Sequence, residues 1–187
     1  MAQATAVVTD SLACLSPELA AEFNIKVIPL GFIFKDKTYR DWVDITPTRA
    51  YEMFLEKPEA FQTTAPSPVE FINAFREVGV SYQNILCVTI SSKLSTTFNT
   101  ACMAKEQVES ETPGIKIEIL DSKTVTSAEG LVALAAARAA ANGVSLDEAA
   151  AEYSRFVEEY NSSSALLKER LKEDAQETRR WVESKLK

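Results

Sequence analysis

The chain contains no histidine in its 187 residues, and that absence excludes more chemistry than any motif adds. Ser-His-Asp and Cys-His nucleophile activation both need an imidazole base within the chain. Glycine is also scarce: Gly31, Gly79, Gly114, Gly130 and Gly143 are too dispersed for GxGxxG or GxxxxGK, so the familiar nucleotide-binding loops are missing. The three cysteines, Cys14, Cys87 and Cys102, form no CxxC pair and leave an odd thiol. That argues against a zinc site or a disulfide framework and for small core residues. No apolar run approaches the roughly 20 residues of a membrane span, and "MAQATAVVTD" lacks the basic start and long apolar middle of a signal peptide. The expectation is a cytoplasmic chain with no membrane span, no metal, no cofactor and no catalytic residues of its own.

What is present is an ordinary globular composition, 46% apolar and 25% charged, at a length suited to one domain with an appendage. The formal charge is −7 and unevenly spread. Residues 165–187 hold seven Lys/Arg against five Asp/Glu, which leaves residues 1–164 at −9. An acidic body is unsuited to nucleic acid, whose affinity comes largely from neutralising phosphates with Lys and Arg.

Apolar runs bounded by turn residues predict strands at 4–9, 25–34, 84–90 and 115–120. Helical patterns fall between them at 17–23, 47–56, 68–78, about 95–110 and 124–142. Three of these open with a hydroxyl and then proline (Ser16-Pro17, Thr46-Pro47, Ser67-Pro68), an N-cap followed by proline at the first helical position. A further helix over 146–160 opens with Ser145 and Glu148 at capping-box spacing. Alternating strands and helices predict an α/β fold, a mostly parallel sheet with helices on both faces, over residues 1–160. Ser162, Ser163 and Ser164 then break the pattern, so 161–187 reads as a serine linker and a C-terminal amphipathic helix with Leu167, Leu171, Val182 and Leu186 on one side.

Ligands of open parallel sheets sit beyond the carboxyl ends of the strands. There the chain offers "VVTDS" (7–11), "QTTAPSP" (62–68), "TISSKLST" (89–96) and "EILDS" (118–122). Asp10 and Asp121 fit either turn chemistry or a carboxylate pair, with turns favoured. Thr63, Thr64, Ser91, Ser92 and Ser95 are neutral donors at helix N-termini, where free N–H groups and the positive dipole end already favour an anion. The alternative is that each caps its own helix, since Ser and Thr are preferred there.

At these residues the chain resembles the DegV family of bacterial fatty-acid-binding proteins. The resemblance runs in order through "VVTDS", "IKVIPLGFIF", "YRDWVDIT", "TTAPSP", "SSKLSTTFNTA" and "LDSKTVTSAEG", covering about residues 5–160. It implies an α/β lobe that binds a fatty-acid carboxylate through Ser and Thr hydroxyls, with the acyl chain in an apolar tunnel. The head-group residues it implies are Thr63 in one loop and Ser91 or Ser92 in the other. It also implies a long-chain fatty acid as ligand and a separate fatty acid kinase as partner, to which the acid is presented. Thr96 stands where the family shows glycine. Where family members continue into a second lobe, this chain has its serine linker and tail. Phe32, Phe34, Phe71, Phe75 and Phe98 offer apolar surface to an acyl chain or simply fill the core. The alternative function is an isolated or engineered lobe that keeps the fold as an interaction module without ligand binding.

Overall fold

The computed structural model describes residues 5–151, 153–155 and 159. In chain order its elements are β1 (Thr5–Asp10), α1 (Pro17–Glu22), β2 (Ile25–Ile28), β3 (Gly31–Phe34), β4 (Lys37–Arg40), α2 (Pro47–Glu56), β5 (Phe61–Thr64), α3 (Pro68–Gly79), β6 (Asn84–Thr89), α4 (Thr97–Glu111), β7 (Lys116–Asp121) and α5 (Ser127–Ala141). Strand β1 is buried along its whole length. It pairs in parallel with β2 on one edge and β6 on the other, and β6 pairs in parallel with β7, giving the order β2-β1-β6-β7.

Successive side chains of a strand point to opposite faces, and the core divides accordingly. Val7, Leu86, Val88 and Leu120 meet Val132, Ala133, Ala136 and Ala137 of α5 on one face. Val8, Ile85, Cys87 and Ile117 meet Phe71 and Phe75 of α3 and Ala101, Ala104 and Val108 of α4 on the other. The fold is the expected α/β arrangement with helices on both faces. The three hydroxyl-proline starts are also as read: Ser16, Thr46 and Ser67 accept from the amides of Leu19, Arg49 and Glu70. Ser145 and Glu148 form the expected capping box at the start of the helical residues from 146.

The single strand expected over 25–34 is two strands in two sheets. Pro29 has no N–H to continue the ladder, and the Leu30 amide donates to Ser11 Oγ at 3.0 Å instead of to a neighbouring strand. Beyond that break β3 lies antiparallel between β4 and β5 in a separate three-stranded sheet, order β4-β3-β5. Lys35 and Asp36, at φ 48 and 65, join β3 to β4. Positive φ at both central residues is what a two-residue type I′ hairpin requires. Phe32, Phe34 and Met53 form the small sheet's own core with α2. The linker and tail helix expected over 161–187 lie outside the described residues. Among the described residues no helix is long and apolar enough to cross a membrane.

One close approach ties the first turn of α5 to the exit of β1. A Cβ on Gly130 would lie 2.3 Å from the Ala13 carbonyl oxygen, a backbone atom that cannot swing aside. Gly130→Ala should therefore cost about 1–3 kcal/mol through overpacking, in spite of alanine's better helix propensity. Urea denaturation measures this, and a midpoint equal to or above the parent's would show that the turn yields freely.

Candidate functional site

An apolar cleft of ≈ 310 Å³ opens between the small sheet and the end of β1. Leu12 and Leu30 form its inner end, Phe32 and Phe61 its floor, and Pro47, Ala50, Tyr51 and Phe54 of the α2 segment its outer wall. Phe32 stacks on Phe61 at 4.6 Å and on Tyr39 at 5.2 Å, so the floor is a continuous aromatic surface. Tyr51 and Phe54 are exposed on the rim. Besides the Tyr51 phenol, the exposed Thr63 on β5 and the carboxyl of Asp41 interrupt the apolar lining. Burial raises the Asp41 pKa, opposed by hydrogen bonds from the Ser11 hydroxyl and the Trp42 amide.

Of the five phenylalanines offered as acyl-chain surface, Phe32 alone lines this cleft. Phe71 and Phe75 are fully buried between α3 and the large sheet, Phe34 is buried in the small sheet, and Phe98 is half-buried on α4.

The hydroxyl-rich loop lies elsewhere, at the carboxyl end of β6. Ser91, Ser92 and Ser95 do not border the cleft, and each is engaged within the protein. Buried Ser91 accepts from the Lys93 amide at 3.3 Å. Ser95 accepts from the Thr97 amide at 3.2 Å and shares a 2.8 Å bond with the Thr97 hydroxyl at the start of α4. Ser92 gives its hydroxyl to Asp121 Oδ2 at 2.6 Å and its amide to Oδ1 at 3.2 Å, and the Lys123 amide joins Oδ1 at 2.9 Å. Thr64 donates to the carbonyl of Ala65 at 3.1 Å. Asp121 thus performs turn chemistry, as favoured, and so does Asp10, whose Oδ1 accepts from the Leu12 amide at 3.0 Å.

Asp10 does more than turn the chain. Its Oδ2 accepts from the Ile90 amide at 3.0 Å, bridging the ends of β1 and β6. Between these two strands the sheet order reverses direction, the switch point where ligand crevices form in open α/β sheets. Glu129 of α5 reaches the same point, fully buried, and the motif-based reading missed it. Its Oε1 accepts from the Thr9 hydroxyl at 3.5 Å, and Oε2 meets no donor among the described residues. Burial first, and then the charge of Asp10 and a hydrogen bond to it, push the Glu129 pKa up to about 10. Burial also raises Asp10, opposed by its bonds to Ile90, Leu12 and Glu129. Burial beside Asp10 therefore favours the neutral form of Glu129. Sequence could have flagged it as the acidic residue in the otherwise small and apolar run 127–137, one position before a tightly packed glycine. Among the described residues no cluster of three or more acidic, histidine or cysteine side chains is arranged to hold a metal.

Comparison with known proteins gives a consistent picture. The family model described as "Uncharacterised protein, DegV family" matches residues 4–167. A DegV domain-containing protein of Caldanaerobacter subterraneus subsp. tengcongensis is 34% identical over 143 residues, 76% of this chain and 49% of that protein. The solved structure of a fatty-acid-binding DegV family protein from Thermus thermophilus superposes with a TM-score of 0.72 at 30% identity, covering 82% of this chain and 53% of the other. A stearic-acid-binding protein from Eubacterium ventriosum superposes with a TM-score of 0.72 at 29% identity, covering 79% and 51%. The chain spans about half the length of the curated relatives it matches.

The Ser92–Asp121 tether has a direct test. In Asp121→Ala the amides of Ser92 and Lys123 lose their shared acceptor at an exposed loop, where solvent screens the interaction. Global stability should fall by no more than about 1–2 kcal/mol. Hydrogen exchange of those two amides should accelerate relative to that in β6, and unchanged exchange would show that the tether does not order the loop.

Proposed function

Because this chain belongs to the DegV family, we propose that it is a fatty-acid-binding carrier lobe and not an enzyme. The observation that carries the reading is the aromatic-floored cleft with Thr63 in its wall. Its volume of ≈ 310 Å³ is at the low end of the roughly 300–1,000 Å³ typical of small-molecule sites, room for part of an acyl chain. In this reading methylene groups lie along Phe32, Phe61 and Phe54, and the carboxylate takes neutral donors: Thr63, with Thr64 beside it, and Ser91, Ser92 and Ser95 from the β6–α4 loop. The Ser92 hydroxyl already holds a carboxylate, that of Asp121, so a ligand head group at Ser92 replaces or shares that partner. The two solved relatives whose descriptions name fatty-acid or stearic-acid binding support the ligand class. Presentation of the bound acid to a fatty acid kinase is part of the same proposal, as is the long-chain fatty acid itself.

A second reading, an interaction module that binds no ligand, draws on the self-satisfied hydroxyls of Ser91, Ser92 and Ser95. One experiment separates the two: mass spectrometry of lipid extracted from the purified chain, followed by titration with a fatty acid and its methyl ester. A hydrogen bond to a charged group is worth roughly 1.5–3 kcal/mol, so Thr63→Ala and Ser92→Ala should each weaken acid binding about tenfold or more. Ester binding should barely change, because its head group is neutral. Mutants that bind the acid like the parent would remove these hydroxyls from the site. A parent that binds neither ligand would establish the interaction-module reading.

A further inference from the structure

Asp10 and Glu129 are fully buried carboxyl groups at the sheet's switch point, and the carrier reading leaves them without a role. Among the described residues no lysine or arginine is one of the groups that shift either one. The titratable groups around them are themselves acids: Cys87 on β6, and Cys14 behind the turn, which also senses Asp41. With no cation among the described residues to pair them, two ionised carboxylates would face each other in a medium that strongly disfavours even one unpaired charge. The pair is stable only with a proton between its members, and the donor geometry decides which member carries it. Asp10 already accepts from two backbone amides, those of Leu12 and Ile90. Glu129 has a long bond from Thr9 and an oxygen without a donor, so the proton belongs to Glu129.

The two amides held by Asp10 begin the two segments that lead to the candidate site. Leu12 is in the inner end of the cleft, and Ile90 directly precedes Ser91 and Ser92. We propose that Glu129 is a positioning residue for these segments: its neutral carboxyl donates to Asp10, and Asp10 held in this way fixes the Leu12 and Ile90 amides. The inference rests on the carrier reading only for its consequence on ligand affinity; the positioning itself is independent of any ligand.

The fold holds the Glu129 proton well above the ordinary value of 4.5, up to about 10. Its contribution to stability is therefore complete below about pH 4.5 and is lost progressively as pH rises towards about 10. Amide hydrogen exchange on the full chain, expressed as protection relative to α3, reads this out. In the parent the protection of Leu12 and Ile90 should decline as pH rises. Glu129→Gln keeps a neutral donor of the same shape and should retain the protection and abolish its pH dependence. Glu129→Leu keeps the bulk without the donor and should lower protection at both amides about tenfold. Fatty-acid affinity should follow the same order, with glutamine rescuing and leucine weakening it. Unchanged protection in the leucine variant would overturn the proposal. So would a parent whose protection does not change with pH, a measurement that stands even if the leucine variant fails to fold. If the parent binds no fatty acid, the carrier reading fails, and the exchange data still decide the role of Glu129.

Discussion

The structure depends on what happens at the end of β1. A central strand buried along its whole length leaves the sheet through a partly buried turn, whose amides take partners from the protein. Asp10 supplies them: one oxygen closes the turn on Leu12 and the other takes the Ile90 amide where β6 leaves the sheet. Ser11 continues the arrangement by accepting the Leu30 amide just past the end of β2. Two adjacent side chains thus tie together the exits of three neighbouring strands. Gly130, against the Ala13 carbonyl, lets α5 approach closely enough for Glu129 to reach the same point.

The second consequence of this junction is the cleft. Because Leu30 is bound to Ser11, the chain beyond Pro29 cannot extend β2, and its apolar residues must find another surface. They build a small antiparallel sheet whose aromatic residues pack on α2. A three-stranded sheet covered by one amphipathic helix does not bury all its apolar area, and Tyr51, Phe54 and Leu55 remain exposed. The open cleft is what is left between this secondary layer and the β1 exit.

Much of this was legible in the sequence for identifiable reasons. The large sheet's strands are apolar runs between turn residues, and the hydroxyl-proline helix starts carry their own mechanism, so elements of both kinds fell within a few residues of expectation. The small sheet was obscure because β4, "KTYR", is largely exposed and polar, and its turn uses Lys35-Asp36 in place of the usual Asn-Gly. Thr96, which stands where the family shows glycine, has φ −79, so this chain's loop needs no left-handed residue there. At the site the hydroxyls were visible, but hydrogen-bond partners separated by 29 residues, as in Ser92 and Asp121, do not follow from local spacing. Glu129 was missed because the apolar run around it signals burial at most, while its place beside Asp10 depends on a contact distant in sequence.

The division of labour between cleft and hydroxyls follows from magnitudes. Burying a methylene group is worth about 0.8 kcal/mol, while a hydrogen bond to a charged group is worth roughly 1.5–3. Two to four methylenes in the cleft therefore match one head-group bond. For the proposed ligand, affinity comes mainly from the aromatic floor, and the neutral donors determine which end of the molecule points towards the strand exits. A lysine or arginine would hold a carboxylate more strongly, but the described residues lining the cleft include none. Of the neutral donors, Ser92 is already engaged by Asp121, so a head group there competes with that carboxylate, whereas Thr63 on the cleft wall does not face this competition. The surplus of hydroxyls fits a cleft whose described lining offers an anion dipoles and no cation.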